Sequence, residues 1–188
     1  GETGRARDLA LRKLRQVEAD GSDPLGMCRA LANVALAEDH AGNFQIAERW
    51  RQRQIEACTR AGDRIFIANG KYGVGKMAVG QERYAEALDW GSQALAEFEE
   101  AGFEGGAYSA RLLVAESLIA LDRNPKRADA LLERTLEYYR QQQADAAISE
   151  TQNLLARLAE RAGNQAAALT HLKAASAATA AAERKARK

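Results

Sequence analysis

The strongest constraint on this chain is a sequence repeat with a period of about 40 residues. An alanine, an aliphatic residue and a glycine recur at fixed internal offsets of eight and seven residues. The copies are Ala6-Leu14-Gly21, Ala47-Ile55-Gly62 and Ala87-Leu95-Gly102, with a looser one at Ala128-Leu136-Gln143. A constant period of this length indicates a stack of similar units, each packed against its neighbours.

Each repeat divides into two helices, which we call A and B. Ala, Leu, Glu, Arg and Gln dominate the chain, and proline occurs only twice in 188 residues, so helix is favoured throughout. Glycines such as Gly42 and Gly62 follow the expected helix ends, where they supply a left-handed cap. The pattern predicts an all-α solenoid with helices at about 5–20, 24–41, 44–61, 64–79, 83–101, 106–121, 126–143, 146–162 and 165–186.

The repeat register also predicts the organisation of the chain. The expected segments are an N-terminal half repeat or cap at 5–21, repeats at 22–62, 63–102 and 103–144, and a degenerate fourth repeat at 145–188. Residues 1–4 are interpreted as either a cloning remnant or the edge of an excised domain. The last helix is rich in alanine and has a charged end, so we expect a cap or a linker into a further domain.

The second copy carries the fullest form of the pattern: Tyr72-Gly73, Gly80, Tyr84, Ala87, Ala94-Leu95 and Ala101-Gly102. This pattern resembles the tetratricopeptide repeat (TPR), in the longer form found in bacterial regulators and kinesin light chains. The matches extend from residue 5 to about residue 176. The resemblance implies a right-handed superhelix of antiparallel helical hairpins, in which the A helices line a concave groove that binds peptides, helices or partner domains.

The resemblance also implies which residues line the groove. Counted from the small residue of each A helix, groove positions lie six and three residues before it and one and four after it. They are Arg29, Ala32, Leu36, Asp39, Ile67, Gly70, Val74, Met77, Ser109, Leu112, Glu116, Ile119, Glu150, Asn153, Arg157 and Glu160. This surface is apolar in the middle and charged at both ends, which favours a helix or an apolar peptide. The Lys and Asn set with which some members clamp two carboxylates is absent.

We therefore expect a non-catalytic module that binds a protein, a peptide or a small effector. By resemblance it would be the sensory or scaffolding segment of a larger bacterial signalling protein. The alternative is an effector-gated regulatory segment of a multidomain enzyme, with its output domain beyond the C-terminus. A net charge of +1 without a basic face argues against nucleic acid, and no apolar stretch is long enough to span a membrane. No cofactor or metal is expected, because no catalytic or metal-ligating constellation is evident.

One segment could suggest different chemistry. Residues 70–76, Gly-Lys-Tyr-Gly-Val-Gly-Lys, have the spacing of a phosphate-binding loop. Met77 replaces the Ser or Thr that such a loop uses to bind magnesium, and the segment falls within helix A of the second repeat. Helix packing is therefore the favoured interpretation, and nucleotide binding is a remote alternative.

The two cysteines and a cluster of three arginines could each have a structural or a functional role. Cys28 and Cys58 lie at adjoining ends of one hairpin, where a disulfide is possible and would require an oxidising compartment. The favoured interpretation is two small buried hydrophobic residues. Arg49, Arg51 and Arg53 alternate along a helix and cannot share one face, so we expect all three at the surface.

Overall fold

The computed structural model describes residues 2–187, and their side chains from residue 4 onward. This part of the chain is helical, without strands, which confirms the all-α prediction. The helices are α1 (Glu2–Asp20), α2 (Pro24–His40), α3 (Phe44–Ala61), α4 (Arg64–Gly80), α5 (Tyr84–Glu100), α6 (Glu104–Ala120), α7 (Pro125–Gln141), α8 (Asp145–Arg161) and α9 (Gln165–Ala186). Helix α1 begins three residues earlier than predicted. The remnant proposed at residues 1–4 lies partly outside the described residues, as does the end of the charged tail at residue 188.

Several turns between consecutive helices contain a residue in the left-handed conformation. Gly62 ends α3 with φ of 72°, and its N–H bonds to carbonyls in the last turn of that helix. Asp63 then caps the N-terminus of α4, where its side chain accepts a hydrogen bond of 3.1 Å from the Phe66 N–H. Asp122 and Gln143 adopt a similar φ without being glycines, at 52° and 51°. The third repeat therefore has the same turn geometry without glycine, although a left-handed backbone is less favourable for residues with a side chain.

Contacts between helices divide the chain into two compact units, with the boundary inside α6. Unit 1 extends to Ala110 and unit 2 begins at Arg111. In unit 1 the helices pack in sequence order from α1 to α5, and α2 also contacts α4. In unit 2, α7 packs on α8 and α8 packs on α9. Helices that are consecutive in sequence therefore pack on each other in both units.

The first core of unit 1 lies between α1, α2, α3 and the start of α4. Its buried members are Leu14, Cys28, Ala30, Leu31, Val34, Ala57, Cys58 and Ile67. Cys28 and Cys58 are fully buried and bonded to each other, with their Cα atoms 4.8 Å apart. The favoured interpretation was correct about burial but wrong about the bond, since these cysteines form a disulfide within one hairpin.

The core of unit 2 is mainly aliphatic. Its buried side chains include Leu132 and Leu136 of α7, Leu154 and Leu155 of α8, and small alanines of α9. Leu169 and Leu172 of α9 are 53% and 43% exposed. No helix within the described residues combines the length and the apolar character needed to cross a bilayer.

Candidate functional site

A cavity of about 670 Å³ opens between α2, α3 and α4 in unit 1. Its walls are mainly apolar or aromatic, with amide side chains and a few charges between them. The lining residues are Ala32, Asn33, Leu36, Asp39, Phe44, Arg51, Gln54, Phe66, Asn69, Tyr72, Gly73, Lys76, Met77, Gly80 and Gln81. Concave apolar sites of this size with a few polar groups are typical of ligand-binding pockets.

Two glycines of α4 give α3 room to approach. A Cβ at Gly73 would lie 2.5 Å from Nε of Arg51, and a Cβ at Gly70 would lie 2.7 Å from Cγ1 of Ile55. The glycine-rich segment 70–76 is part of a continuous α-helix, so its amides serve the helix and are not presented to a phosphate. The helix-packing interpretation is confirmed, and the structural basis for a nucleotide-binding loop is removed.

A buried polar cluster forms the base of this cavity. Arg51, which is 9% exposed, donates from Nη2 to Oδ2 of Asp39 at 2.7 Å. Its Nη1 donates to Oε1 of Gln54 at 3.4 Å, and Nε2 of Gln54 donates to the Phe66 carbonyl at 2.8 Å. The prediction that Arg51 is at the surface is therefore wrong, whereas Arg49 and Arg53 are exposed as expected.

The repeat register contains the signal that places Arg51 in the interior. Arg51 follows Ala47 by four residues, and the same offset from the repeated alanine gives Gly91 and Leu132, which are also buried. In these three repeats the position is therefore buried whether the residue is charged or not, whereas in the fourth repeat Leu172 at the same position is 43% exposed. The neighbouring core position, Gln54, corresponds to Ala94 and to Thr135 by the same count.

The cluster is not fully satisfied by hydrogen bonds within the described residues. Nε of Arg51 and Oδ1 of Asp39 are buried without a partner there. A buried polar atom without a partner costs about 1–3 kcal/mol. The cluster therefore carries a stability cost that an ordinary aliphatic core would avoid.

Only some of the groove residues implied by the resemblance face this cavity. Ala32, Leu36, Asp39 and Met77 line it, and Arg29 lies beside it with its guanidinium carbon 5.7 Å from the centre of the Phe66 ring. Ile67, Gly70 and Val74 are buried in helix packing and do not form a free surface. The cavity residues that the sequence analysis missed include Phe44, Arg51, Gln54, Phe66, Asn69 and Lys76.

Unit 2 contains a smaller cavity of about 380 Å³, which is also formed by predicted groove residues. Glu116, Asn153 and Arg157 line it together with Ala146, Ser149, Glu150 and Leu154. Nη1 of Arg157 lies 3.5 Å from Oε1 of Glu116. Leu112 and Ile119 are 7% and 2% exposed, so they are core residues.

The other implied positions lie outside both cavities. The Ser109 hydroxyl donates to the Gly105 carbonyl at 3.2 Å in the preceding turn. Glu160, near the end of α8, is exposed.

A second buried charge is Glu38, the residue before Asp39 in α2. Glu38 is 1% exposed and accepts hydrogen bonds from Nε of Arg7 and Nδ2 of Asn43, each at 2.7 Å. Burial acts to raise the pKa of Glu38, but the hydrogen bonds from Arg7 and Asn43 and the Arg7 charge together hold it below its ordinary value. Glu38 is therefore a buried carboxylate that ties α1 and the start of α3 to the end of α2.

No cluster of three or more potential metal ligands occurs in the described part of the chain. No protein-family model matches the chain, and no curated protein matches it significantly.

Solved structures, by contrast, match its fold closely. BtubC (BKLC) from P. vanneervenii aligns with a TM-score of 0.82 over 97% of this chain and 75% of that chain, at 18% identity. A Podosopora anserina kinesin light chain with nearly identical TPR-like repeats aligns with a TM-score of 0.71 over 98% of this chain and 90% of that chain, at 15% identity.

A third match comes from a much longer protein. The STAND ATPase PH0952 of Pyrococcus horikoshii, described as having a tetratricopeptide repeat sensor, aligns with a TM-score of 0.75 at 17% identity. The alignment covers 94% of this chain but 27% of that one. At these identities the similarity establishes the fold alone, and that fold is the TPR-like arrangement of helical repeats that the 40-residue period predicted.

Proposed function

We propose that the chain is a non-catalytic module that binds a protein or peptide segment in the cavity of unit 1. The observation that carries this proposal is the exposure of large apolar side chains at the cavity. Leu36 is 47% exposed and Phe44 is 55% exposed. Together with the cavity beside them they form a concave apolar surface, which is typical of an interaction site.

The composition of the cavity suits a peptide segment. Leu36, Phe44 and Met77 can take apolar side chains, while the amides of Asn33 and Asn69 can bond to peptide backbone groups. Interfaces of this kind combine a few apolar anchors with polar groups that fix orientation.

A sensory or scaffolding role in a larger signalling protein is the finer part of this proposal. It is supported by the similarity to PH0952, whose TPR region is described as a sensor within a signal-transduction ATPase. In such a protein, occupation of the cavity would be the signal that the module detects.

A display selection tests whether the chain binds peptides. The immobilised chain would be presented with a random library of peptides of about 12 residues, and the affinity of the selected peptides would be measured by fluorescence anisotropy. Leu36→Asp and Phe44→Asp should each weaken binding at least about tenfold, because they place a charge on an apolar contact surface. The matched control is Ile46→Asp. Ile46 is an exposed residue of α3, like Phe44, but it does not line the cavity.

The control should bind as the wild type does, and circular dichroism should show unchanged helicity in all three variants. A selection that yields no binder would contradict the proposed function. Binding that survives both cavity substitutions would place the site elsewhere.

A further inference from the structure

We infer that Arg51 determines the specificity of this cavity, and that the preferred occupant is an apolar peptide segment carrying one acidic side chain. The inference rests on the proposed function of peptide binding and adds the chemistry of the peptide.

The fold itself does not require a cation at this position. The equivalent residues of the following repeats are Gly91 and Leu132, which are both buried in the same TPR-like architecture. Both are uncharged, and glycine is the smallest residue there is. The presence of arginine in the first repeat therefore calls for an explanation other than packing.

The surrounding helices accommodate this arginine at a cost. Gly73 stands where the other A helices have Ala35, Ala115 and Ala156, and a Cβ there would lie within 2.8 Å of the Arg51 guanidinium carbon. Glycine in the middle of a helix costs about 1 kcal/mol relative to alanine. The unpartnered Nε and the unpartnered Oδ1 of Asp39 add to that cost.

Arg51 also retains hydrogen-bonding capacity toward the cavity. A guanidinium has five N–H donors, whereas its contacts here use Nη2 toward Asp39 and Nη1 toward Gln54. The second contact, at 3.4 Å, is long for a hydrogen bond and would be weak. Because Arg51 lines the cavity, a carboxylate entering it can accept from the Nη groups while the Asp39 contact is kept.

The net charge of the lining favours an acidic group over a basic one. The charged lining residues are Asp39, Arg51 and Lys76, and the first two pair with each other. Lys76 is exposed and has no ion pair within the described residues, so the cavity carries one uncompensated positive charge. The apolar side chains of the lining, such as Leu36 and Phe44, favour apolar side chains at the other positions of the occupant.

The experiment uses the display library as its probe, with peptides acetylated and amidated so that any negative charge is on a side chain. Peptides selected by the wild-type chain should contain one Asp or Glu flanked by apolar residues. Replacing that residue by Asn or Gln should weaken binding about tenfold, the size expected for losing a charge-assisted hydrogen bond.

Variants of the chain assign this preference to particular side chains. The discrimination is the ratio between the affinities for the acidic peptide and for its Asn or Gln analogue. Arg51→Met should reduce this ratio to about twofold or less, and Lys76→Met should reduce it in part. Arg49→Met, an exposed residue of the same helix, removes the same charge and should leave the discrimination intact. Since Lys76 is exposed, its variant tests the charge argument even if the Arg51 variant folds poorly.

The outcomes separate the inference from the proposed function. If no peptide binds, the proposed function fails and the inference fails with it. If peptides bind but show no acidic preference, or if discrimination survives in Arg51→Met, the inference is overturned while peptide binding stands. An acidic preference that Arg51→Met abolishes and Arg49→Met leaves unchanged supports both.

Discussion

Units 1 and 2 place different residues at the same positions of one repeat. The buried face of α3 in unit 1 contains Arg51 and Gln54, and the corresponding face of α7 in unit 2 contains Leu132 and Thr135. The Thr135 hydroxyl bonds to the Leu131 carbonyl of its own helix, which removes any need for a polar partner. In α3 and α7 the same repeat positions are buried, and the residue type at each position decides whether its side chain also lines an open cavity.

The units also differ in what reinforces them. Unit 1 has a disulfide between α2 and α3 and a buried carboxylate, Glu38, that links three helices. Unit 2 contains no cysteine, and its core is mainly aliphatic. Its polar contacts include the 2.8 Å bond between Ser149 and Thr179 and the 2.6 Å ion pair between Lys185 and Asp145. We expect the stability of unit 1 to depend on redox state and acid more than that of unit 2 does.

The largest expected effect comes from giving unit 2 the arginine of unit 1. Leu132→Arg would bury a charge where Ile119 occupies the register position of Asp39, so no carboxylate is supplied from that position. Leaving a buried charge unpaired should lower the free energy of unfolding by about 4 kcal/mol. Urea unfolding followed by circular dichroism would measure the loss.

The control for this exchange is Leu169→Arg, at an exposed position of unit 2, which should change stability by less than about 0.5 kcal/mol. A Leu132→Arg variant as stable as the wild type would show that this position of α7 tolerates a buried charge as well as the Arg51 position of α3 does.

Reduction of the disulfide should have the next largest effect, and it should be confined to unit 1. The bridge closes a loop of 30 residues, for which a chain-entropy argument gives about 3.5 kcal/mol of stabilisation. Trp50 and Trp90, the only tryptophans, are both in unit 1, so their fluorescence follows that unit alone. In urea titrations followed by tryptophan fluorescence, the unfolding midpoint should be at a lower urea concentration with reductant than without it. Equal midpoints in the two titrations would contradict this expectation.

Acid should affect the two units differently through Glu38. Because the pKa of Glu38 is lowered by folding, its contribution to stability is present above the ordinary glutamate pKa and is lost as the pH falls through the lower folded-state pKa. Glu38→Gln should therefore cost about 2 kcal/mol at neutral pH and less in acid, near the pKa of the folded state. Unfolding midpoints from tryptophan fluorescence across this range would measure both values.

Glu133→Gln changes an exposed carboxylate in unit 2 and should shift stability by less than about 0.5 kcal/mol at either pH. A destabilisation by Glu38→Gln that is the same at both pH values would show that the charge of Glu38 is not what stabilises unit 1.

The smallest expected effect tests the fit between Gly73 and Arg51. In an Arg51→Ala background, Gly73→Ala should stabilise the chain by about 1 kcal/mol, because the helix gains a better residue without a clash. In the wild type the new Cβ meets the guanidinium, and that gain should be lost. A double-mutant cycle would give a coupling of about 1 kcal/mol.

Gly80, in the same helix, has open space where the Cβ of an alanine would lie, so Gly80→Ala should behave alike in both backgrounds. Independent, additive effects at Gly73 and Arg51 would contradict the fit between these two residues.

The helical architecture could be predicted from the sequence because the same pattern of residues occurs in several successive repeats. The alanines Ala47, Ala87 and Ala128 are all fully buried, as their regular spacing requires. The cavity could not be predicted in the same way, because it depends on exceptions to the pattern. The alternation of Arg49, Arg51 and Arg53 along α3 predicts three surface residues, but it does not take into account that Arg51 lies at a core position of the repeat.

The groove positions show a similar limit. The position one residue after the small A-helix residue is Leu36 in α2, which lines the cavity, and Val74 in α4, which is buried in a core with Ala47. Whether a given A-helix residue faces the cavity depends on how closely α4 approaches α3, and the glycines of α4 set that distance. The distance between α3 and α4 cannot be predicted from the sequence periodicity alone.

The disulfide has a consequence for how the chain responds to proteolysis. The turn after α2 is exposed at residues 40–42 and lies inside the loop that Cys28 and Cys58 close. A protease that cuts this turn would leave the two pieces covalently joined through the bridge. The N-terminal piece would be released only after reduction, so a nicked chain would be indistinguishable from an intact one on a non-reducing gel and would separate into two bands on a reducing gel.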